Sequence, residues 1–532
     1  MTTPPPTARA AGALRTLLRW SPLVVPIALP LAWSPSREWS AGLVVLGYLG
    51  FCALSWHRHR RAAAATPADA LPVAYASQGG QARRLAERSA EQLRQAGLDA
   101  CAVPLEALSV ERLARLPRLL IVASTYGDGE APDHAAGFLR LLARHRPDLA
   151  GLDYALLALG DSTYRHFCGF ARQLDDRLRA LGARPRHDRL EADRLDAGVL
   201  RRWQAQLGQW AGCNDFSDWA PADYRPWRLV ARERLNPGSQ GGAVYRLRLE
   251  ALEPGAHWQA GDIAEVGPCH PPAAVAACLA RLGLAPADPA VPDAGAAADE
   301  PRALAWHLAR RQWPEQAPAG VSLAEWLDAL PRLPHREYSI ASVPEDGALE
   351  LLVREVRRAD GQPGLGSGWL CRHAGLGECI DLRLRANPGF HRPPGDGPLI
   401  LIGNGTGLAG LRAHLRACAR LGQHGHWLLF GERNAAHDRL LGEELDAWLA
   451  SGLLARLDLA FSRDGATKDY VQHRLRDAAD SVRAWVDAGA GLLVCGSLEG
   501  MGREVDTLLR GILGGPAVDR LAAEGRYRRD LY

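Results

Sequence analysis

The sequence has no Cys-x-x-Cys pair, although ten cysteines are spread along its 532 residues. Iron–sulfur clusters and structural zinc ions are held by closely spaced cysteines, so neither kind of metal site is indicated. Scattered thiols of this kind are typical of a reducing cytosol. The sequence also has no large excess of one charge, since 63 basic and 60 acidic residues leave a formal net charge of +3. A nucleic-acid-binding protein that depends on a broad basic surface is therefore disfavoured.

The first 65 residues differ in composition from the rest of the chain. Two apolar runs, Trp20–Trp33 and Trp39–Trp56, are bracketed by tryptophans, and three prolines interrupt the first run. The second run would rise about 27 Å as a helix, which is enough to cross the hydrocarbon core of a bilayer. Basic residues flank the pair of runs at Arg9, Arg15, Arg19, Arg58, Arg60 and Arg61.

From the positive-inside rule we predict a membrane anchor of two transmembrane helices over residues 1–65, in the cytoplasmic (inner) membrane, with the catalytic domains facing the cytoplasm. The alternative is a signal peptide that is cleaved near Ala62–Ala65.

Three predicted strands after the anchor each end in a polar loop. The strands cover Leu71–Ala76, Leu119–Ala123 and Ala155–Leu159. Open α/β sheets bind ligands at the carboxyl ends of their strands, where backbone N–H groups at a helix start can hold an anion. The first loop does not end in lysine, so it is not a nucleoside-triphosphate loop. The candidate binding residues are Ser77, Gln78, Gly79, Gly80, Gln81, Ser124, Thr125, Tyr126, Gly127, Leu159, Gly160, Asp161, Tyr164 and Phe167.

A second candidate site is the segment Arg336-Glu337-Tyr338-Ser339. On a strand, Arg336 and Tyr338 share one face, so an arginine could grip a pyrophosphate while the phenol stacks on a flat ring. Ser339 could donate a hydrogen bond to the edge of that ring. An ordinary half-buried strand is the alternative. Downstream, the small residues Gly364, Leu365, Gly366 and Ser367 would let backbone amides approach a pyrophosphate, unless they form a glycine-rich hairpin.

A third candidate site begins at strand Leu399–Ile402, which leads into Gly405, Thr406 and Gly407 and then a helix. This order is typical of a nucleotide-binding unit, although the spacing is not that of the G-x-G-x-x-G fingerprint. Two cations and a ring follow in the set Ser462, Arg463, Lys468, Tyr470 and Gln472. Such a set suits a 2′-phosphoadenosine, whereas NAD sites place a carboxylate near that ribose. A solvated charged loop is the alternative.

Together these motifs resemble the diflavin reductases, a family that includes the sulfite reductase flavoprotein subunit and the NADPH–hemoprotein reductases. The resemblance implies an α/β multidomain fold that binds FMN, FAD and NADPH. We therefore expect a flavodoxin-like FMN domain at 66–215, an FAD-binding β-barrel domain at 216–395 and an NADPH-binding Rossmann-like domain at 396–532. A connecting insert at about 268–334 is shorter than is usual in the family, with helices expected near Ala273–Leu284 and Leu323–Leu330.

The resemblance also assigns catalytic residues. Ser339, Cys495 and Asp530 match the family's hydrogen-bonding group around the transferred hydride, and Tyr532 matches a terminal aromatic that covers the FAD ring. A frayed chain end is the alternative for Tyr532. The sequence departs from the family at Gly80-Gln81 in the phosphate loop and at Ser497, where an aspartate is usual.

The activity implied by the resemblance is hydride transfer from NADPH to FAD, followed by single-electron transfer to FMN and to an acceptor. We expect that acceptor to be a haem protein or a sulfite reductase haemoprotein near the membrane. The alternatives are a membrane-tethered ferric-siderophore or quinone reductase and, less favoured, a non-catalytic flavin redox sensor. No metal site and no nucleic-acid partner are expected.

Overall fold

The computed structural model describes residues 70–532, apart from residues 78–79, 126–128, 133–134, 214–215, 217, 220–222, 286–302, 317–319 and 359. The chain divides into two compact units, of which one ends at Val199 and the other runs from Leu200 to Tyr532. The predicted anchor at residues 1–65 lies outside the described residues. In the part of the chain that is described, no helix is both long enough and apolar enough to cross a membrane.

The first unit is built on a parallel sheet with the strand order β2-β1-β3-β4-β5, in which β6 also pairs with β4. This is the order of flavodoxin-like folds. Its strands are β1 (Leu71–Ala76), β2 (Ala100–Pro104), β3 (Arg118–Ser124), β4 (Asp153–Gly160), β5 (Arg184–Pro185) and β6 (Leu190–Asp193). Its helices are α1 (Gln81–Gln95), α2 (Val110–Leu113), α3 (Ala136–His145) and α4 (Gly169–Ala180), and α5 (Ala197–Ala211) begins at its end. The three strands predicted from the sequence are β1, β3 and β4.

The carboxyl ends of β1, β3 and β4 lie side by side in this sheet, because β3 pairs with both of its neighbours in parallel. Residues Leu119–Ala123 of β3 are completely buried. A strand covered on both faces has a continuous apolar sequence rather than an alternating one, which is why the sequence pattern identified it.

The second unit begins with a six-stranded antiparallel sheet in the order β10-β9-β12-β7-β8-β11. Its strands are β7 (Arg225–Arg234), β8 (Val244–Ala251), β9 (Ile263–Gly267), β10 (Arg336–Ser339), β11 (Leu349–Arg354) and β12 (Cys379–Arg385). A bridge between Ile340 and Leu351 joins the two end strands, so the sheet closes into a barrel, as expected. Its interior contains the buried side chains of Leu247, Val266 and Leu382.

In the described residues between β9 and β10 lie three short helices, α6 (Pro272–Leu282), α7 (Leu304–Ala309) and α8 (Leu323–Ala329). They share a small apolar core that includes Val275, Leu279, Leu308 and Leu327. Two of them, α6 and α8, end one or two residues before the predicted helices. A short helix α9 (Leu365–Gly368) and a π-helical turn, Trp369–His373, lie between β11 and β12.

The carboxyl-terminal part of the second unit is a parallel sheet in the order β15-β14-β13-β16-β17. Its strands are β13 (Leu399–Asn404), β14 (His426–Glu432), β15 (Leu454–Phe461), β16 (Gly491–Gly496) and β17 (Tyr527–Leu531). Its helices are α10 (Leu408–Arg420), α11 (Ala435–Asp438), α12 (Gly442–Ala450), α13 (Val471–Asp477), α14 (Ala479–Asp487), α15 (Arg503–Leu513) and α16 (Gly515–Ala523). Alternate residues of β13 belong to two different hydrophobic clusters, which cover the opposite faces of the sheet.

Candidate active site

In the first unit, the predicted binding loops meet at one edge of the sheet. Ser124 at the end of β3 donates a hydrogen bond from Oγ to the carbonyl oxygen of Ala76, at 2.9 Å, which ties the second loop to the end of β1. The N–H of Thr125 donates to the carbonyl of Leu159, at 3.0 Å, which ties it to the end of β4. The predicted residues Gln78, Gly79, Tyr126 and Gly127 lie outside the described residues.

The first of these loops turns into helix α1 at Gly80. This residue has φ +79°, a left-handed conformation that glycine adopts without strain, and Gln81 begins the helix. Helix α1 is 15 residues long, and its first backbone N–H groups point towards the same edge as Ser77. The departure at Gly80-Gln81 therefore leaves a helix start that can hold a phosphate group.

The third loop is held by its own side chains. Asp161 accepts hydrogen bonds from the backbone N–H and the hydroxyl of Thr163, at 2.9 and 2.7 Å, and these bonds lower the pKa of Asp161. Gly160 packs so closely that a Cβ atom there would lie 3.0 Å from the Phe167 ring. The ring of Tyr164 is 53% exposed, so one of its faces is available to a planar ligand.

One polar atom in this region lacks a partner within the described residues. The Oγ1 atom of Thr125 is buried, yet no described residue hydrogen-bonds to it. A buried hydroxyl without a partner costs free energy, and a ligand atom would remove that cost. The helix start, this hydroxyl and the exposed Tyr164 ring together fit a phosphorylated molecule with a flat ring.

In the barrel, the two predicted pyrophosphate motifs come into direct contact. A Cβ atom at Gly366 would lie 2.3 Å from Cγ of Arg336 and 3.3 Å from Oη of Tyr338, so only glycine allows this approach. Gly364 donates its N–H to the carbonyl of Val356, and Ser367 accepts the Val356 N–H through Oγ at 3.0 Å. Leu365 begins helix α9 next to them. An arginine, a tyrosine and a helix start therefore face one another, as a dinucleotide flavin requires.

Strand β10 lies on a buried cluster of charges. Glu265 of β9 is completely buried and accepts hydrogen bonds from Arg201, Arg383 and Arg385. Although burial alone would lower it, hydrogen bonds to Asp218 and Glu337 raise the pKa of His335 to about 9, so the ring is protonated at neutral pH. Glu265, His335 and Glu337 lie close enough to hold a metal ion, but both carboxylate oxygens of Glu265 already accept hydrogen bonds from arginines. We interpret the group as an ion-pair cluster that supports β10.

No local pattern in the sequence predicts this ion-pair cluster. Arg383 and Arg385 alternate along β12, and Arg383 lies opposite Glu265 on β9. The two alternating arginines of β12 are visible in the sequence, but the acidic residue with which they pair depends on the strand register.

The three residues assigned to hydride transfer come together, although Ser339 and Asp530 are 191 residues apart. Ser339 donates a hydrogen bond from Oγ to Oδ2 of Asp530, at 2.7 Å, and Sγ of Cys495 lies 3.7 Å from the same oxygen. Burial raises the pKa of Asp530, and the hydrogen bond from Ser339 partly opposes that rise. Burial also raises the pKa of Cys495, which keeps the thiol protonated. We call these three residues the Ser–Cys–Asp cluster.

Helix α10 packs directly on the Ser–Cys–Asp cluster. A Cβ atom at Gly410 would lie 3.2 Å from Sγ of Cys495 and 3.7 Å from Cβ of Ser339. Just before this helix, a Cβ atom at Gly407 would lie 2.1 Å from the carbonyl oxygen of Cys495. The loop that was predicted to bind a nucleotide therefore lies directly against the cluster, and a side chain at Gly407 would collide with the backbone of Cys495.

The carboxyl terminus is held in place rather than frayed. Tyr532 donates its N–H to the carbonyl of Gly496, and its own carbonyl accepts the N–H of Leu498, both at 3.0 Å. The Tyr532 ring is 48% exposed, and its hydroxyl lies 3.1 Å from Oγ1 of Thr406. The terminal ring therefore lies beside the loop Gly405–Gly407. Ser497, the position that departs from the family, donates its N–H to Oδ1 of Asn404 at 3.0 Å.

The predicted 2′-phosphate loop follows β15. The N–H of Ser462 donates to the carbonyl of Glu432, at 2.9 Å, and the N–H of Arg463 donates to the carbonyl of Arg433, at 2.7 Å. The side chains of Arg463, Lys468 and Tyr470 are exposed, and Lys468 is the only lysine in the 532 residues.

The structure places the remaining member of this set elsewhere. Gln472 is buried, and its amide donates to Glu504 of α15 at 2.8 Å. The 3.6-residue period of α13 turns Gln472 towards the protein, whereas Tyr470 precedes the helix and stays at the surface.

Comparison with known proteins supports this division of sites. Residues 73–200 match the family described as Flavodoxin, and residues 401–507 match the family described as Oxidoreductase NAD-binding domain. The sulfite reductase [NADPH] flavoprotein alpha-component of Sodalis glossinidius is 30% identical over 550 residues, which cover 88% of this chain and 90% of the relative. The chain belongs to the diflavin reductase family.

A second relative extends the similarity along almost the whole length. The sulfite reductase [NADPH] flavoprotein alpha-component of Bacillus subtilis is 28% identical over 588 residues, which cover 94% of this chain and 96% of the relative. This diflavin reductase is therefore an oxidoreductase that uses FMN, FAD and NADPH, as its three binding regions indicate. The loops of the first unit fit FMN, the barrel motifs fit FAD, and the carboxyl-terminal sheet fits NADPH.

Proposed function

We propose that this diflavin reductase passes electrons from NADPH to a haem-protein acceptor of the sulfite reductase type. The observation that carries the proposal is the similarity to sulfite reductase flavoprotein alpha-components over 88% of the chain, with 90% of the relative covered. When bound, NADPH supplies a hydride to FAD, and the two electrons then pass singly to FMN and on to the acceptor.

In this proposal the chain's own residues orient the dinucleotide and stabilise the charge that develops on its nicotinamide ring. The backbone amides of Gly405–Gly407 hold the pyrophosphate at the start of α10. Arg463 and Lys468 hold the 2′-phosphate, a group that NADH does not have, so NADPH is the preferred reductant. Asp530, fixed by the hydrogen bond from Ser339, stabilises the positive charge that develops on the nicotinamide ring.

Tyr532 acts as a movable cover in the same proposal. Its ring is half exposed and lies at the dinucleotide loop. A ring that stacks on the flavin blocks the nicotinamide, so the tyrosine must move aside before hydride transfer. The intact Ser–Cys–Asp cluster argues against a non-catalytic redox sensor, because a sensor does not need it.

We further propose that residues 1–65 tether the enzyme to the cytoplasmic membrane, with the flavin domains on the cytoplasmic face. The support for the tether is the pair of apolar runs flanked by arginines. These runs also favour a second candidate function, in which the acceptor is a quinone dissolved in the membrane or a ferric siderophore arriving at it.

One set of assays tests the function. The purified full-length protein, reconstituted into liposomes, is given NADPH and one of three acceptors: a sulfite reductase haemoprotein, a ubiquinone analogue or a ferric siderophore. We expect the haemoprotein to be reduced much faster than the other two. Faster reduction of the quinone would replace the first function with the second, and no NADPH-dependent reduction of any acceptor would support a sensor.

The membrane tether is tested by fractionation of cells that express the full-length chain. We expect the protein in the membrane fraction, and a variant without residues 1–65 in the supernatant with its activity towards cytochrome c retained. A full-length protein found in the supernatant, or one cleaved near Ala65, would contradict the tether.

A further inference from the structure

A buried ion pair lies against the first glycine of the dinucleotide loop. Arg354, the last residue of β11 in the barrel, donates from Nη2 to Oε1 of Glu432, the last residue of β14. A Cβ atom at Gly405 would lie 3.5 Å from Nη2 of Arg354 and 3.7 Å from Oε1 of Glu432. A cation and an anion therefore both border the loop, where only a cation would assist the binding of a pyrophosphate.

Glu432 also lies along the course of the dinucleotide. Its backbone carbonyl accepts the N–H of Ser462, at 2.9 Å, so it adjoins the loop that carries Arg463. Its other carboxylate oxygen, Oε2, accepts the N–H of Arg433 at 3.0 Å. A dinucleotide that extends from Gly405 to Arg463 must pass this carboxylate, and the carboxylate uses a backbone donor that could otherwise face an anion.

This carboxylate is not an ordinary surface acid. The Glu432 side chain is only 3% exposed, compared with 22% for Arg354. Burial raises the pKa of Glu432, Arg354 opposes that rise, and the nearby Asp438 adds to it. A second anion, such as a pyrophosphate, strongly repels a carboxylate that is shielded from water and paired with a single arginine, because little solvent screens the repulsion.

We propose that Glu432 weakens the binding of NADPH and NADP⁺ to the NADPH site. It holds Arg354 when the site is empty and competes with the dinucleotide pyrophosphate for that arginine. The bound dinucleotide is therefore held less tightly than the glycine loop and the two loop cations, Arg463 and Lys468, alone would hold it, and the product NADP⁺ is released faster once NADPH has given up its hydride. The inference rests on the NADPH site of the family and not on the identity of the electron acceptor.

The test is the binding of NADP⁺ to the FAD-loaded protein with Glu432→Gln, measured by equilibrium titration. Glutamine keeps the shape and can still accept the N–H of Arg433, but it removes the charge. We expect the Kd of NADP⁺ to fall about tenfold, since one close repulsion is relieved. Adenosine 2′-monophosphate has no pyrophosphate, so its Kd should change less than twofold.

A matched control is Asp446→Asn, which removes a carboxylate from another ion pair of the same domain, with Arg439. This variant should bind NADP⁺ as the unaltered protein does. Equal or weaker NADP⁺ binding by Glu432→Gln would overturn the proposal, because it would mean that the carboxylate assists binding by positioning Arg354.

A second variant keeps the proposal testable if Glu432→Gln does not fold. Arg354→Gln removes the cation for which the two anions compete, so the Kd of NADP⁺ should rise at least tenfold while that of adenosine 2′-monophosphate stays within twofold. Unchanged NADP⁺ binding by Arg354→Gln would also overturn the proposal.

Discussion

The FMN loops and the Ser–Cys–Asp cluster are built in opposite ways. In the third FMN loop, Asp161 is held by Thr163, only two residues further along the chain, and the Tyr164 ring is exposed. In the cluster, Ser339 and Asp530 are 191 residues apart and their contact is inside the protein. The first arrangement depends on local turns, and the second depends on two strands of different sheets meeting correctly.

This difference has an energetic consequence. A partly exposed loop loses little when one side chain is removed, because water replaces the lost contact. A buried carboxylate with few partners has no such replacement, so each change there alters the charge and geometry of the whole group. Single substitutions should therefore have large effects in the cluster and small effects in the FMN loops.

The largest effect is expected for Asp530→Ala. Loss of the carboxylate removes the stabilisation of the positive charge on the nicotinamide, so the rate of FAD reduction by NADPH should fall at least a hundredfold. The measurement is stopped-flow reduction under single turnover. Asp519→Ala, which removes an exposed carboxylate of the same domain, should leave the rate unchanged. A rate for Asp530→Ala within threefold of the unaltered protein would show that the buried cluster does not take part in the reaction.

The next largest effect is expected at the exposed dinucleotide loop. Each of Arg463 and Lys468 can make a charge-assisted contact to the 2′-phosphate, of order 1.5–3 kcal/mol when well formed. The double variant Arg463→Ala/Lys468→Ala should therefore lose most of its preference for NADPH while NADH turnover is retained. The ratio of kcat/KM for the two reductants measures this. An equal fall for both reductants would indicate that the loop has a structural role.

A smaller effect is expected from removal of Tyr532. FAD should stay bound, because Arg336 and Tyr338 are untouched, but its ring face would be open to nicotinamide. NADH should then compete better, and the ratio of NADPH to NADH activity should narrow several-fold. The FAD content and that ratio are the measurements. An unchanged ratio of NADPH to NADH activity would show that the Tyr532 ring does not take part in the binding of nicotinamide.

A similarly small effect is expected for Tyr164→Ala in the FMN loop. Loss of one stacking ring is worth about 0.5–1.5 kcal/mol, so FMN should bind only about two- to twelvefold more weakly. Fluorescence titration of the flavin-free protein with FMN measures this change. Complete loss of FMN binding would contradict the conclusion that single substitutions in the FMN loops have small effects.

The same contrast explains what could be predicted from the sequence. Strands β1, β3 and β4, the glycine loops and the barrel motifs follow from local patterns of burial and turn residues. The Ser–Cys–Asp cluster was assigned only through the resemblance to a family, because no local pattern joins Ser339 to Asp530. Gln472 was grouped with the exposed loop, but the start of α13 turns it towards Glu504.

The pair Arg354–Glu432 could not have been predicted from the sequence. Each residue ends an ordinary strand, and the two strands belong to different sheets. Their contact depends on how the barrel meets the carboxyl-terminal sheet within the second unit. The sequence contains both charges, but nothing in it pairs them.

The single lysine of the chain makes the dinucleotide loop chemically distinctive. Amine-reactive acylating reagents modify exposed lysines and the α-amino group, so in this protein they can modify only one side chain, Lys468. An acylated Lys468 has no positive charge to offer a phosphate. Protection of this amine from acylation can therefore report the occupancy of the loop by peptide mass alone, without any flavin signal or enzyme assay.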